Sequence, residues 1–338
     1  IGLAHRHLAI IDLSDSAAQP MFKGDGKDRL AISYNGEIYN FLELRQRLEA
    51  ENYAFTTNSD TEVLLQLYRR YGTDMVDHLR GMYAFAIWDE ERGGLFLGRD
   101  PFGIKPLYYA TTLQGFAFAS EPQALVRAGL VAPEVFAPKR DELLQLQFTT
   151  GRATAFAGIS RVLPGETLVV EDGHIVEHRH QTALPAGGPR RISRTAALND
   201  LDHVLNDSVG VHQRADVPYG MFLSGGIDSS VILTLMARLN AQPVQAYTAG
   251  FTGTGVADER AHARAVAKAC GAEAVITMCP MCHMNLDARQ ADMKTNFDMP
   301  IFHSTQLTTL AFGLDVKDSH FNKNIVDPLP LLKAKELI

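Results

Sequence analysis

A glycine- and serine-rich loop is the segment of this sequence whose residue types point most directly to chemistry. It reads Ser224-Gly225-Gly226-Ile227-Asp228-Ser229-Ser230 and lies between an apolar stretch and an amphipathic helix. Glycines let a ligand approach the backbone, and the N–H groups at the start of a helix attract anions. A phosphate or pyrophosphate would fit there, with Asp228 holding a magnesium ion that bridges the phosphates. A Gly-Gly turn capped by aspartate or serine is the alternative interpretation.

The three cysteines, Cys270, Cys279 and Cys282, form a second chemically active group. The Cys279-x-x-Cys282 spacing fits half of a metal site, a redox dithiol or two buried small residues. Iron–sulfur clusters usually need four thiolates, and Cys270 and His283 are the only further ligands nearby. Cys279 and Cys282 are therefore candidates for a zinc or iron–sulfur site, although an intact cluster is not expected. So few cysteines also exclude a disulfide framework.

Acidic and amide residues that suit a ligand pocket occur in the first half of the chain. Asn35, Gly36 and Glu37 follow an apolar strand, and Asp60 precedes an amphipathic helix. Taken singly, Asn35-Gly36 is typical of a turn and Asp60 of a helix N-cap. A functional role for these residues needs a signal from the wider sequence.

The elements that must position these residues differ between the two halves of the chain. In the first half, apolar alternation predicts strands, and helical periodicity predicts two amphipathic helices. Gly, Asp and Pro turn signals separate them, and Asp172-Gly173 marks a hairpin. The predicted strands cover residues 3–12, 30–34, 82–88, 94–98, 107–110 and 115–119, and the helices 41–51 and 61–71. This pattern is typical of a strand-rich layered domain with helices on one face.

A composition shift over residues 185–194, rich in Pro, Gly and Arg, marks a linker. After it, predicted helices at 195–213, 229–239 and 258–270 alternate with predicted strands at 217–223, 244–250 and 274–277. Alternation of this kind predicts a parallel sheet. The predicted organisation is a domain at 1–185, a linker at 186–194, a second domain at 195–273 and a tail at 274–338.

Length and charge exclude several classes of protein. The 338 residues are 46% hydrophobic and 21% charged, which is typical of a globular chain long enough for two domains. The net charge is -7 and there is no long basic run, so no nucleic-acid partner is expected. No apolar stretch reaches the ~18 residues of a membrane span, and no signal-peptide pattern is present. We therefore expect a cytoplasmic protein with no membrane partner.

An ordered series of motifs carries a resemblance to one enzyme family over residues 1–270. The motifs are residues 4–12, 19–20, 34–40, 59–62, 81–85, 98–107, 120–121, 163–165 and 224–230. Together they resemble the glutamine-hydrolysing asparagine synthetases and other class II glutamine amidotransferases.

The resemblance implies an α/β and α+β fold. A layered N-terminal-nucleophile type glutaminase sandwich, lacking its first strand, would precede a partial parallel-sheet ATP pyrophosphatase domain and a short unrelated tail. The glutaminase releases ammonia from glutamine. The second domain uses ATP and magnesium to activate aspartate, or another carboxylate acceptor, which ammonia then attacks, giving asparagine, AMP and pyrophosphate from aspartate. The implied partners are glutamine, ATP and the acceptor, and a homodimer is one option for the oligomeric state.

The resemblance also implies roles for single residues. Asn35 and Gly36 would form the oxyanion hole, because an amide and a backbone N–H are suitable donors. Glu37 and Asp60 would hold the glutamine α-amino group, and His7 stands where the family has an arginine for the glutamine carboxylate. The implied ATP-binding residues are Leu223 and Ala249 for adenosine and Ser224, Gly225, Gly226, Asp228 and Ser229 for pyrophosphate, with Asp228 also serving magnesium.

The sequence departs from the family pattern in three places. The family nucleophile is an N-terminal cysteine, and no cysteine precedes Cys270, so we expect no glutamine hydrolysis from this chain as given. An imidazole at His7 would hold a carboxylate less well than a guanidinium, unless Arg6 substitutes for it. From about residue 274 the chain instead resembles the C-terminus of the cysteine-rich iron–sulfur subunit of heterodisulfide reductase.

These departures lead to further expectations. The change of resemblance suggests joined gene fragments, and the start at Ile1 suggests that upstream sequence is missing. Two alternative functions stay open. One is an iron–sulfur redox subunit of the heterodisulfide reductase type, and the other is a non-catalytic binding module with the glutaminase fold.

Overall fold

The computed structural model describes residues 1–6, 8–184, 187–189, 191–224, 226–242, 244–248, 260–271, 275–277, 300–311, 315–324 and 326–338. The chain divides into two compact units. The first comprises Ile1–Arg191 with Arg214–Val217, and the second comprises Ile192–Gln213 with Pro218–Ile338.

The first unit contains nine described strands, four α-helices and three short 3-10 helices. In chain order the strands and α-helices are β1 (Met21–Lys23), β2 (Leu30–Ile38), α1 (Phe41–Ala50), α2 (Asp60–Tyr71), β3 (Gly81–Asp89), β4 (Gly94–Arg99), β5 (Tyr108–Thr112), β6 (Gly115–Ala119), α3 (Pro122–Arg127), α4 (Ala137–Leu146), β7 (Ser160–Arg161), β8 (Glu166–Glu171) and β9 (His174–His180). The 3-10 helices are Asp15–Ala17, Gly26–Asp28 and Gly72–His78.

Two antiparallel sheets form layers in this unit. One has the order β1-β2-β3-β4-β8-β9 and the other the order β6-β5-β7. Because successive side chains of a strand point to opposite faces, β3 contributes to two cores. Tyr83, Phe85 and Ile87 pack in the core that includes α1 and α2, whereas Ala84 and Ala86 pack in the core that includes the second sheet. The predicted strand-rich layered domain is confirmed.

Helix α2 lies almost entirely in the core, and local signals fix both of its ends. Ser59 caps the helix by accepting a hydrogen bond from Thr61 N at 3.1 Å. The helix ends at Gly72, whose φ of 57° belongs to the left-handed region that favours glycine. The cap places Asp60 in the first turn, directly beside the end of β2.

One predicted strand in this unit is wrong. The described residues between 3 and 12 form no strand. Their backbone makes isolated contacts instead, with Ala4 O accepting from Ser33 Oγ at 3.4 Å and Ile10 O accepting from Asp216 N at 2.9 Å. Asp12 has a φ of 54°, which interrupts an extended path. The apolar alternation of this stretch predicts a strand, but none of the described strands pairs with it.

The second unit contains an alternation of helices and parallel strands. Its described elements are α5 (Arg194–His212), β10 (Gly220–Phe222), α6 (Ile227–Leu239), β11 (Gln245–Tyr247), α7 (Arg260–Ala269), β12 (Val275–Thr277), β13 (Ile301–His303), α8 (Ser304–Ala311), α9 (Leu329–Ala334) and the 3-10 helices Val316–Ser319 and Phe321–Lys323. The parallel sheet has the order β10-β11-β12-β13, which confirms the predicted parallel pairing. Strands β12 and β13, which both follow residue 274, belong to this same sheet.

Helices α6 and α7 contribute to a small core against this sheet. Leu223 and Leu233 pack there with Ala263 and Ala267. Among the described residues, no helix has the length and apolar character that a membrane span requires.

Candidate functional site

A cavity of about 510 Å³ in the first unit brings together most of the residues that the sequence singled out there. Asn35, Gly36, Glu37 and Asp60 all line it, together with Arg6 and Lys105. His7 lies outside the described residues, so its predicted contact with the glutamine carboxylate stays a prediction.

Strand β2 provides three of these residues, Asn35, Gly36 and Glu37. In the antiparallel ladder with β3, Asn35 lies opposite Ala84 and Gly36 opposite Tyr83. A Cβ atom on Gly36 would lie 2.1 Å from Met82 O and 2.7 Å from Tyr83 Cα, so only glycine fits there. The Asn35 side chain is half-buried and makes no hydrogen bond within the described residues, which leaves its amide available to a ligand.

Asp60 is a buried carboxylate, 5% exposed, that is held rigidly. Its Oδ2 accepts hydrogen bonds from Tyr34 Oη at 2.8 Å and from Ile38 N at 3.0 Å. Burial raises the pKa of Asp60, and the hydrogen bonds from Ile38 N and Tyr34 Oη oppose that rise. The two donors come from β2, so the strand that carries Asn35 and Gly36 also orients this carboxylate.

Glu37 is the second buried carboxylate of the cavity, and its environment differs from that of Asp60. It is 8% exposed, and within the described residues its carboxylate has no hydrogen bond and no ion pair. Burial, followed by the negative charge of Asp60, raises the pKa of Glu37 to about 7, and the positive charge of Lys105 opposes the rise. An acid that lacks a partner and faces a cavity is suited to receive a cationic group from a ligand.

The loop after β4 is held in place by two buried charged residues. The Arg99 guanidinium donates to three carbonyl oxygens: Lys105 O at 2.7 Å, Val162 O at 2.6 Å and Gly103 O at 2.7 Å. Burial lowers the pKa of Arg99, and the neighbouring Asp100 charge opposes that effect. In the sequence, the Arg99-Asp100 pair taken alone suggests a surface loop, but both side chains are buried.

Asp100 completes the anchoring of this loop. It is 0% exposed, and its Oδ1 accepts from Phe102 N and Ile104 N at 3.1 and 3.0 Å. Its Oδ2 accepts from Lys105 N at 3.0 Å and Tyr83 N at 3.3 Å. Lys105 therefore has both backbone groups fixed while its side chain lines the cavity. Lys105 lies within the motif at 98–107, but the sequence does not show that its side chain faces the cavity.

The predicted phosphate loop lies in the second unit, between β10 and α6. Ser224 Oγ accepts from Gly226 N at 3.2 Å and lies 3.0 Å from Ser229 Oγ. Leu223 is buried, and its N–H donates to Tyr247 O at 2.7 Å. The loop thus presents two hydroxyls at the N-terminus of a thirteen-residue helix, which is a suitable environment for a phosphate.

Magnesium would need oxygen ligands beside this loop, and Asp228 is an exposed carboxylate in the first turn of α6. Within the described residues there is no group of three or more metal-ligating side chains. Magnesium commonly uses one or two carboxylates together with substrate phosphates, so a single carboxylate fits the ion only alongside a bound nucleotide. Gly225 and Ala249 lie outside the described residues.

Two of the three cysteines, Cys279 and Cys282, also lie outside the described residues. Cys270 packs beside the core of the second unit, and its Sγ lies 3.9 Å from Thr234 Oγ1. Cys270 is thus a partly buried side chain at the edge of this core.

Two family models match the chain. The family model described as "Glutamine amidotransferase domain" matches residues 1–181, and the model described as "Asparagine synthase" matches residues 200–296. The second match runs past residue 274. The resemblance of the tail to heterodisulfide reductase therefore stays a prediction for a segment that this match partly covers.

Several curated proteins are similar to much of this chain. Asparagine synthetase [glutamine-hydrolyzing] 1 of Bacillus subtilis is 38% identical over 76% of this chain and 40% of its own length. A putative asparagine synthetase [glutamine-hydrolyzing] of Mycobacterium bovis is 36% identical over 84% of this chain and 46% of its own length. Amidase chyE of Penicillium rubens is 32% identical over 89% of this chain and 46% of its own length. The chain thus spans less than half the length of these relatives.

Among solved structures, one similar chain is a glutamine phosphoribosylpyrophosphate amidotransferase from Bacillus subtilis complexed with ADP and GMP. It is 20% identical with a TM-score of 0.37, over 77% of this chain and 63% of that one.

Proposed function

This chain belongs to the glutamine amidotransferase domain family, and from that membership we propose that its first unit binds glutamine in the cavity. The observation that carries the proposal is the meeting of Glu37, Asp60, Asn35 and Gly36 in one cavity of about 510 Å³. These residues come from β2 and α2, and their positions depend on the rigid hydrogen bonds between those elements.

Each group in the cavity suits one part of the glutamine molecule. The carboxylates of Glu37 and Asp60 suit the α-ammonium group, because buried anions gain most from a cationic partner. The Asn35 amide and the Gly36 backbone suit the side-chain carbonyl, where negative charge develops when a nucleophile attacks. Relatives named asparagine synthetase [glutamine-hydrolyzing] support glutamine as the amide donor.

Hydrolysis needs a nucleophile that these residues do not supply. The sequence has cysteines only at Cys270, Cys279 and Cys282, all after residue 181, where the glutamine amidotransferase match ends. We propose that these 338 residues bind glutamine without releasing ammonia. A catalytically silent binding module is the second candidate, and the same cavity supports it.

For the second unit we propose ATP binding at the loop before α6. The Asparagine synthase match over residues 200–296 supports a nucleotide there, as do the hydroxyls of Ser224 and Ser229 at the helix N-terminus. Buried Leu223 would lie beside adenosine, and Asp228 would hold magnesium, which neutralises phosphate charge when it is bound. The acceptor of the amide nitrogen would be aspartate or another carboxylate, as in the asparagine synthetases that the chain resembles.

Isothermal titration with glutamine tests the first proposal. We expect saturable binding to the unaltered chain and no ammonia in an enzyme-coupled assay. Asp60→Asn should weaken binding at least tenfold, whereas Glu134→Gln, the removal of one exposed acid, should leave it unchanged. Absent binding, or equal losses in both variants, would refute a glutamine site in this cavity.

Titration with ATP, with and without magnesium, tests the second proposal. Asp228→Ala should weaken ATP binding when magnesium is present and have little effect without it, whereas Ser224→Ala should weaken binding in both conditions. Thr234→Ala, in the same helix but two turns from its start, is the matched control. An ATP affinity that neither Asp228→Ala nor Ser224→Ala changes would exclude this loop as the nucleotide site.

A further inference from the structure

Lys105 is a cationic residue that lines the cavity, and hydrogen bonds hold its backbone in place. Its side chain is half-buried, and within the described residues its ammonium has no hydrogen bond or ion pair. The Glu37 carboxylate, 8% exposed and facing the same cavity, is likewise without a partner among the described residues. A buried anion and a half-buried cation that line one cavity and do not bond each other can receive a ligand carrying both signs.

The backbone of Lys105 cannot easily move away from this position. Its N–H donates to the fully buried Asp100, and its carbonyl accepts from the buried Arg99. The same Asp100 also bonds Tyr83 N, which anchors the loop to β3. The ammonium therefore extends from a rigid point, which reduces the entropy lost when it binds a ligand.

Lys105 and Glu37 belong to one electrostatic environment. The positive charge of Lys105 lowers the pKa of Glu37, against burial and the charge of Asp60. Burial raises the pKa of Tyr34 and that of Tyr39, and the negative charge of Glu37 adds to both rises. An α-amino acid places its ammonium and its carboxylate on one carbon, so a single ligand can satisfy the acidic pair and Lys105 together.

We propose that Lys105 binds the α-carboxylate of the amino acid whose ammonium group is held by Glu37 and Asp60. This assignment rests on the proposed glutamine site and adds to it the residue that makes the site specific for a complete α-amino acid. Arg6 also lines the cavity, but its side chain is exposed and its segment forms no strand. A cation on such a segment is less constrained than one on the anchored loop.

The test compares glutamine with glutaminamide, in which an uncharged amide replaces the α-carboxylate. We expect the unaltered chain to bind glutamine ten- to a hundredfold more tightly than glutaminamide, since a charge-assisted hydrogen bond is lost. Lys105→Met should weaken glutamine binding by that factor and glutaminamide binding by a clearly smaller one, because loss of the Lys105 charge also raises the pKa of Glu37. Lys105→Arg should restore the preference. Arg6→Met, which removes the other described arginine or lysine that lines the cavity, should retain it.

The possible results separate this proposal from the glutamine site itself. If glutamine does not bind the unaltered chain, the proposed function fails. If glutamine binds but Lys105→Met weakens both ligands equally, or if Arg6→Met alone removes the preference, the role of Lys105 is refuted. Should Lys105→Met unfold, acetylation of Lys105 in the unaltered protein, followed by mass spectrometry, gives the answer. Glutamine should slow this acetylation and glutaminamide should not, and equal rates would refute the proposal.

Discussion

Replacing Glu37 by glutamine should make the first unit more stable at neutral and alkaline pH, even though the residue lines the proposed site. The side chain is buried beside a second carboxylate and has no partner within the described residues. Glutamine keeps the shape of the side chain and removes the charge. The change therefore isolates the free energy of keeping an ionised carboxylate at this position.

The size of the effect follows from the pKa of Glu37, which rises from its ordinary value of 4.5 to about 7 because of burial and the Asp60 charge. Each pKa unit corresponds to about 1.4 kcal/mol, so the folded state loses at most ~3 kcal/mol when Glu37 ionises. Between pH 4.5 and 7 the folded state binds more protons than the unfolded state. The contribution of Glu37 to the free energy of unfolding is therefore largest below pH 4.5, falls as the pH rises to 7, and changes little at higher pH.

Urea denaturation at pH 5 and pH 8 measures this difference. Trp88 in β3 is the only tryptophan of the 338 residues, so its fluorescence reports the unfolding of the first unit. Glu37→Gln should exceed the free energy of unfolding of the unaltered chain by less than ~1 kcal/mol at pH 5 and by up to ~3 kcal/mol at pH 8. Glu134→Gln should show no such divergence. A gain that is equal at both pH values would show that the charge of Glu37 is not what destabilises the fold.

Three further predictions concern the same unit. Glutamine affinity should rise about tenfold from pH 6 to pH 8 in titration calorimetry, because the ionised fraction of a group with a pKa of about 7 rises from roughly a tenth to nine-tenths. Gly36→Ala should cost more than ~3 kcal/mol in urea denaturation because its Cβ would meet the β3 backbone, whereas Gly2→Ala, with open space around it, should cost almost nothing. Arg99→Lys should lose about 3 kcal/mol, since an ammonium cannot keep all three carbonyl hydrogen bonds of the guanidinium.

Much of the fold could be predicted from the sequence where the signal is local. The predicted strand at 115–119 is observed with the same bounds, and the Asp172-Gly173 hairpin forms with φ values of 48° and 78°. Residues 3–12 misled the prediction because their alternation is also local, and no strand in the described part of the chain pairs with them. The sequence of helix α4 has no apolar periodicity from which a helix could be predicted, and none of its side chains is fully buried.

The candidate site could be predicted only in part, because its assembly depends on long-range pairing. Asp60 reaches β2 through the Tyr34 hydroxyl, 26 positions earlier in the chain, and the motif order indicated both residues without showing the contact. Lys105 lies within the motif at 98–107, but its position in the cavity was not predicted, because it depends on hydrogen bonds to the buried Arg99 and Asp100. In the sequence those two residues resemble any charged pair before a proline, and only their burial shows that they fix the loop.

The two acids of the cavity contribute differently to ligand binding, and the stability argument makes the difference explicit. Asp60 already has two hydrogen-bond donors and stays in place whether or not a ligand is present, so it orients the ligand. Glu37 has no such donors among the residues that the structure describes, and its ionisation lowers the stability of the ligand-free site. A ligand ammonium would remove that penalty by giving Glu37 a cationic partner. A ligand carboxylate would give Lys105 an anionic partner in place of Glu37. Stabilisation of the first unit by glutamine should therefore be larger at pH 8 than at pH 5, in the pH range where the empty site is least stable.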